Sequence, residues 1–393
     1  MSSHNTSSAF LSHLECTRCH SQWDADTVRD VCRKCGGVLF ARYRLDEIAT
    51  HLRRDHLNSR VRSMWRYAEV LPVNSASNVI TLGEGFTPIL HLKREGEAVG
   101  LEHLQMKNDG LIPTGTFKAR GMASAISKCK ELGVRTVAVA TAGNAGAAMS
   151  AYGSRASIES HVFMPKSTPT PIRLECEIYG AHVTLVDGSI SDAGNELERV
   201  REDGWMILST MREPYRVEGK KTMGFEVAEQ LNWALPDVIV YPTGGGTGIV
   251  GMWKAFDELE KLGWISGKKP RLVSVQPSGC APVVRAMEEG KETCEVWEDP
   301  HTIAVGLEVP KAYGDYLILQ ALRSSRGTAI SVHDSEILKS MKQLAKREGI
   351  WVCPEGAATC ACLPQLIENG FIDKQDTVLL YNTGLGILYP ELI

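Results

Sequence analysis

Ile112-Pro113-Thr114-Gly115-Thr116-Phe117-Lys118-Ala119-Arg120-Gly121 is the stretch on which the reading of this chain turns. It follows an apolar run, Leu101 to Met106, that reads as a strand, and it opens a segment, Lys118 to Leu132, that reads as a helix. A lysine at a strand-to-helix junction behind a Pro-Thr-Gly turn is held in place by the chain on either side, whereas most lysines are solvated surface charges.

Two glycine-rich elements give that lysine a context. Thr141-Ala142-Gly143-Asn144-Ala145-Gly146 comes directly after the buried-strand pattern Thr136 to Ala140 and runs into a helix of small residues. Glycine lets backbone approach a ligand closely, and the free N–H groups at a helix start favour an anion such as a carboxylate. Thr243-Gly244-Gly245-Gly246-Thr247-Gly248 follows the strand Val238 to Pro242 and precedes an amphipathic helix with Ile249, Val250, Trp253 and Phe256 on one face. Three successive glycines make a nest of N–H donors suited to a phosphate. This is no nucleotide P-loop, because Ile249 and Val250 stand where the lysine and hydroxyl belong. Nor does a Gly-x-Gly-x-x-Gly sit at the first strand. A lysine, a carboxylate loop and a phosphate loop together suit a ligand with an aldehyde and a phosphate, plus an amino-acid partner.

These motifs, with Asn382-Thr383-Gly384-x-Gly386 and the segment Pro214-Tyr215-Arg216-Val217-Glu218-Gly219-Lys220-Lys221-Thr222, occur in an order that resembles the fold type II pyridoxal-phosphate enzymes, and among them the threonine synthase family. The likeness covers roughly residues 80 to 393. It implies a two-domain α/β architecture of the tryptophan synthase β type, with parallel sheets and the ligand between the domains at the carboxyl ends of strands. It also implies that Lys118 holds pyridoxal 5'-phosphate as a Schiff base and then acts as general base at Cα. Phe117 would lie near the ring or simply pack in the core, and Asn144 would bond the phenolic oxygen. Gly244, Gly245, Gly246 and Thr247 would take the phosphate. Thr116, Thr141, Ala142, Gly143, Ala145 and Arg216 would face the substrate, the loop residues at its carboxylate. Thr383 resembles the hydroxyl opposite the pyridine nitrogen; a neutral group there favours elimination or replacement over transamination.

The chain also departs from the family pattern. Ala119 stands where aspartate is usual, and Ala142 and Ala145 replace two hydroxyls. Leu385 and Leu388 replace the usual histidine and lysine of the last motif. Arg216 is retained, but a substrate phosphate wants several charge-assisted donors. The resemblance therefore implies a carbon-oxygen lyase performing β-elimination or β-replacement on a small α-amino acid. Threonine synthase proper, converting phosphohomoserine and water to threonine and phosphate, is the enzyme alternative. A cofactor-binding sensor or partner subunit without turnover is the third reading.

Four cysteines ahead of these motifs form a separate pattern. Cys16-x-x-Cys19 and Cys32-x-x-Cys35 are separated by twelve residues, a spacing that can bring four thiolates around one structural Zn²⁺. A segment this short cannot bury a core unaided, so a metal staple has a purpose. A ribbon that has lost its metal is the bland reading, and His20 is a competing ligand. Similar ribbons precede some members of the family.

The expected domains are a ribbon over 1–45, a helical connector over 46–80, a large cofactor-binding domain over 81–122 and 212–393, and a small α/β domain over 123–211. The connector's arginines read as a solvated basic face. A net charge of −4 over 393 residues argues against a nucleic-acid binder. No apolar run approaches the roughly 20 residues that span a bilayer. Met1 to Ala9 lacks the layout of a signal peptide, and eleven scattered cysteines suggest reduced thiols in the cytoplasm. The family resemblance suggests a homodimer.

Overall fold

The computed structural model describes residues 10–393, so the Met1 to Ala9 stretch lies outside the described residues. In chain order the strands are β1 (Leu11–Cys16), β2 (Gln22–Trp23), β3 (Leu39–Tyr43), β4 (Ile89–His91), β5 (Leu104–Asn108), β6 (Thr136–Ala140), β7 (Glu159–Pro165), β8 (His182–Val186), β9 (Trp205–Ile207), β10 (Val238–Pro242), β11 (Arg271–Pro277), β12 (Thr328–Val332) and β13 (Val378–Asn382).

They belong to two compact units. The first comprises the chain up to Gly85, Lys118–Thr222 and Glu258–Trp264; the second comprises Phe86–Phe117, Met223–Asp257 and Ile265–Ile393. Two of the cuts, Phe117/Lys118 and Thr222/Met223, fall five and eleven residues from the expected 122/123 and 211/212, others fall at Gly85/Phe86, Asp257/Glu258 and Trp264/Ile265, and ribbon and connector go with the first unit. One close crossing explains why the segment after Lys118 and that before Thr222 travel together. A Cβ on Gly219 would collide with the Arg120 carbonyl and lie 3.0 Å from Gly121 Cα, and one on Gly121 would lie 3.2 Å from the Arg216 carbonyl. The helices Lys118–Glu131 and Arg216–Gln230 therefore meet backbone to backbone, as only glycine permits.

The first unit holds an antiparallel three-stranded sheet, β2-β1-β3, and a parallel four-stranded sheet, β8-β7-β6-β9. Behind the latter, Ala138, Phe163, Ala193, Leu197 and Ile207 form a small core. The second unit holds one six-stranded sheet, β12-β11-β10-β13-β5-β4, parallel except for β4. Its central strands read Val-Ile-Val-Tyr-Pro and Val-Leu-Leu-Tyr-Asn and are buried at every position. Continuous apolar runs of this kind mark strands covered on both faces.

The connector keeps its expected solvated face at Arg53, Arg54 and Arg62 and departs from it at Arg66. After the helix Leu45–His51 it proceeds in short 3₁₀ turns, and Arg66 is buried. Its guanidinium donates to the carbonyls of Leu57 at 2.6 Å, Val61 at 3.1 Å and Arg60 at 3.2 Å. Arg60 in turn grips Glu69 through two hydrogen bonds of 2.6 and 2.7 Å. Arg66 thus adds its guanidinium to turn carbonyls, two of which, Leu57 and Val61, already accept from backbone N–H groups, and so it is not simply solvated.

Candidate active site and metal ribbon

In the second unit three neighbouring strands, β10, β13 and β5, end side by side. Their carboxyl ends lead into the Gly244–Thr247 loop, the Thr383 loop and the segment that runs to Phe117. The last two are spliced by backbone hydrogen bonds. Phe117 N–H donates to the Thr383 carbonyl at 2.9 Å, Leu385 N–H to that of Gly115 at 2.9 Å, and Asp109 N–H to that of Asn382 at 2.8 Å. Thr116 and Gly384 form an antiparallel bridge. Thr114 and Gly115 turn through positive φ, 59° and 63°, and for a β-branched threonine this conformation stores strain. The residue before Lys118 is thus fixed to the loop that carries Thr383. Phe117 itself is half-buried, with its ring edge-on to Tyr241 at 6.3 Å.

The glycine loop has no room for side chains at Gly244 and Gly246. A Cβ on Gly244 would lie 2.5 Å from the Gly306 carbonyl, and one on Gly246, where φ is 82°, would run into Ile318. Bare backbone thus leads into Thr247, the first residue of the helix Thr247–Lys261. Thr383 is buried, and its hydroxyl lies 3.7 Å from the Cys353 thiol. Burial and the nearby Glu355 carboxylate push that thiol far above its ordinary range, so it stays neutral. Asn382 Nδ2 donates to Asn108 Oδ1 at 2.8 Å, tying the ends of β13 and β5 together.

In the first unit Lys118 is half-buried and opens its helix. Thr141 and Gly143 lead into the helix Asn144–Ala156, with the Thr141 hydroxyl accepting from the Gly143 N–H at 3.1 Å. Gly143 has φ −157°, which any residue adopts, and a Cβ there would meet nothing within 4 Å. Nothing among the described residues therefore requires glycine at 143. Arg216 is buried, and its Nη1 donates to the Leu208 carbonyl at 2.6 Å. Desolvation holds its pKa below the usual arginine value. Glu213 caps the same helix, accepting from the Tyr215 and Arg216 N–H groups at 2.7 and 3.0 Å, and burial pushes its carboxyl up to about 7.

The residues fit pyridoxal phosphate within each unit. Bare N–H groups at a helix start suit a phosphate, a neutral hydroxyl beside a neutral thiol suits an unprotonated ring nitrogen, and the Thr116 hydroxyl is buried without a partner among the described residues. Sequence reasoning missed Cys353, Asn108 and the Gly121–Gly219 crossing, because each acquires its role from a residue far away in the chain.

The cysteines of the ribbon converge. Cys16, Cys19, Cys32 and Cys35 Sγ atoms all lie within 4.8 Å of one another, with pairs at 3.4 and 3.6 Å. Tetrahedral Zn–S bonds of about 2.3 Å put sulfurs about 3.8 Å apart, so the four thiolates fit a structural Zn²⁺. His20 is turned instead to Glu15, at 3.2 Å. At the end of the ribbon sheet, Tyr43 donates to Glu218 at 2.8 Å, and Lys221 Nζ lies 4.0 Å from the centre of the Tyr43 ring. Lys221 also pairs with Glu218 at 2.6 Å and Glu258 at 2.8 Å. A buried charge network thus ties the ribbon to the helix that Arg216 opens.

Residues 80–384 match the family described as pyridoxal-phosphate dependent enzyme. A threonine synthase of Methanocaldococcus jannaschii is 34% identical over 377 residues, covering 96% of this chain and 93% of that protein. One from Methanosarcina acetivorans is 35% identical over 382 residues, covering 97% and 93%. In fold the chain is similar to maize serine racemase, with a TM-score of 0.67 and 23% identity over 78% of this chain and 91% of the other. Among the described residues no helix is long and apolar enough to cross a membrane. On the family match and on relatives that align along nearly the whole chain, this protein belongs to the threonine synthase family of fold type II pyridoxal-phosphate dependent enzymes.

Proposed function

We propose that this protein is a carbon-oxygen lyase that performs β-elimination or β-replacement on a small α-amino acid. The observation that carries the reading is the splice of Phe117 to Thr383, because it fixes the chain entering Lys118 to a loop with a neutral hydroxyl, with the glycine loop on the adjoining strand. When bound, the cofactor supplies an electron sink for charge left at Cα. Lys118 Nζ would be its attachment point and then take the Cα proton, a task for a partly neutral amine. Gly244, Gly245, Gly246 and Thr247 would hold the phosphate, Asn144 the phenolic oxygen, Phe117 the ring face and Thr383 the ring nitrogen. Thr116, Thr141, Ala142, Gly143 and Ala145 would orient the substrate carboxylate, and Arg216 would lie on the substrate side.

The second reading, threonine synthase proper, is favoured by the names of the relatives. Set against it, Arg216 and Lys221 spend hydrogen bonds and charge on Leu208, Glu218 and Glu258, which leaves fewer donors for a substrate phosphate. The two part in one assay. Phosphate release from phosphohomoserine favours threonine synthase, and keto-acid formation from a β-substituted amino acid favours the leading reading. Cofactor binding with neither product overturns both. The seven buried cysteines outside the ribbon are free thiols, which suits a cytoplasmic setting, and the family suggests a homodimer that binds no nucleic acid.

A further inference from the structure

The amino ends of β7 and β8 carry a cluster that the proposed chemistry does not use. Glu159 opens β7, His161 lies two residues on and so on the same face, and His182 opens β8 in register with His161. Both imidazoles converge on a single carboxylate oxygen. Glu159 Oε1 lies 3.1 Å from His161 Nε2 and 3.3 Å from His182 Nε2. The His161 ring stacks on Trp205 at 4.2 Å and on His182 at 4.8 Å, which fixes its plane. The side chains of His182 and Glu159 are 63% and 52% exposed, so an ordinary ion pair between them would contribute little.

A metal ion accounts for the convergence better. Zn–N and Zn–O bonds of about 2.0–2.2 Å at tetrahedral angles set neighbouring ligand atoms about 3.3–3.5 Å apart. The three ligand atoms here all lie within 4.8 Å of one another. Two imidazoles and one carboxylate suit Zn²⁺, Ni²⁺ or Cu²⁺, whereas Ca²⁺ and Mg²⁺ want oxygen alone. We propose that Glu159, His161 and His182 form a surface site for a divalent transition-metal ion, with the remaining coordination position open to solvent or an external ligand. The cluster lies towards the amino end of the four-stranded sheet, whereas the Thr141–Ala145 loop follows the carboxyl end of β6. Along β6, His161 is in register with Ala138, three residues before Thr141, and Glu159 with Thr136, five before it, so at about 3.3 Å per residue the cluster begins roughly 10 Å from the loop and takes no part in the reaction.

The test uses the cofactor-loaded protein, dialysed against excess Zn²⁺ and analysed for metal. Wild type should hold one zinc per chain more than either His182→Ala or Glu159→Gln, whatever the ribbon holds, with turnover unchanged in both variants. Ni²⁺ should quench tryptophan emission in wild type at concentrations at least tenfold lower than in His182→Ala, and Trp205→Phe should remove that component. Equal zinc content in wild type and both variants, or equal quenching in wild type and His182→Ala, would overturn the assignment.

Discussion

Gly246→Ala tests the glycine loop with a cost that can be worked from the structure. The residue sits at φ 82°, and an added Cβ would overlap Cγ1 and Cδ1 of the buried Ile318. An L-residue in left-handed backbone costs about 1–2 kcal/mol, and one extra methyl in a packed core about 1–3 kcal/mol. The variant should therefore be less stable by about 2–5 kcal/mol, and movement of the loop should weaken cofactor binding. Ile318→Ala removes the obstructing atoms and by itself costs about 2–5 kcal/mol. Because the alanine methyl would then occupy the vacated space, the double variant should be less destabilised than the sum of the singles by about 1–3 kcal/mol. Denaturant midpoints for the four proteins, with cofactor titrations followed by absorbance, provide the cycle. Strict additivity, or a Gly246→Ala protein that matches wild type in both readouts, would refute the reasoning.

Three further predictions concern other parts of the molecule. Tyr43→Phe removes the hydroxyl that donates to buried Glu218, so stability should fall by about 1–2 kcal/mol with zinc content unchanged, whereas Cys16→Ser should lower zinc content by one equivalent. The Glu213 carboxyl, raised from 4.5 to about 7, keeps its proton more firmly in the folded state than in the unfolded. Its contribution is therefore fully present below about pH 4.5 and is lost as pH rises towards 7, so the stability of wild type relative to Glu213→Gln should fall across that window by up to about 3 kcal/mol; a relative gain with rising pH in denaturation series would count against the assignment. Thr383→Asp should shift turnover from elimination towards transamination, read as the ratio of the two products, and an unchanged ratio would remove Thr383 from its role.

Much of this was legible in the residues because the chemistry is local. The strands before Thr141 and Thr243 are short apolar runs with glycine soon after them, and the parallel sheets follow from them. The two Cys-x-x-Cys knuckles declare themselves by spacing, since each loop must close on one ion. What stayed hidden depends on distant partners. Gly121 and Gly219 read as ordinary helical glycines until the two helices meet. Cys353 reads as a buried thiol, and only the fold puts it 3.7 Å from the Thr383 hydroxyl. Arg66 lies in a polar, basic segment where periodicity carries no signal, so its burial against three carbonyls could not be foreseen. Strand β4 has three residues and pairs antiparallel at the sheet edge, too short for any pattern to register.

The central claim is that Lys118 binds the cofactor, and the visible absorption spectrum of the purified protein tests it most directly. Wild type supplied with pyridoxal phosphate should show the absorption band of the lysine-bound cofactor, and a substrate amino acid should shift it. Lys118→Ala should lack that band while keeping the wild-type fold by circular dichroism. A band of equal intensity in Lys118→Ala, or none in the wild type at saturating cofactor, would contradict the account.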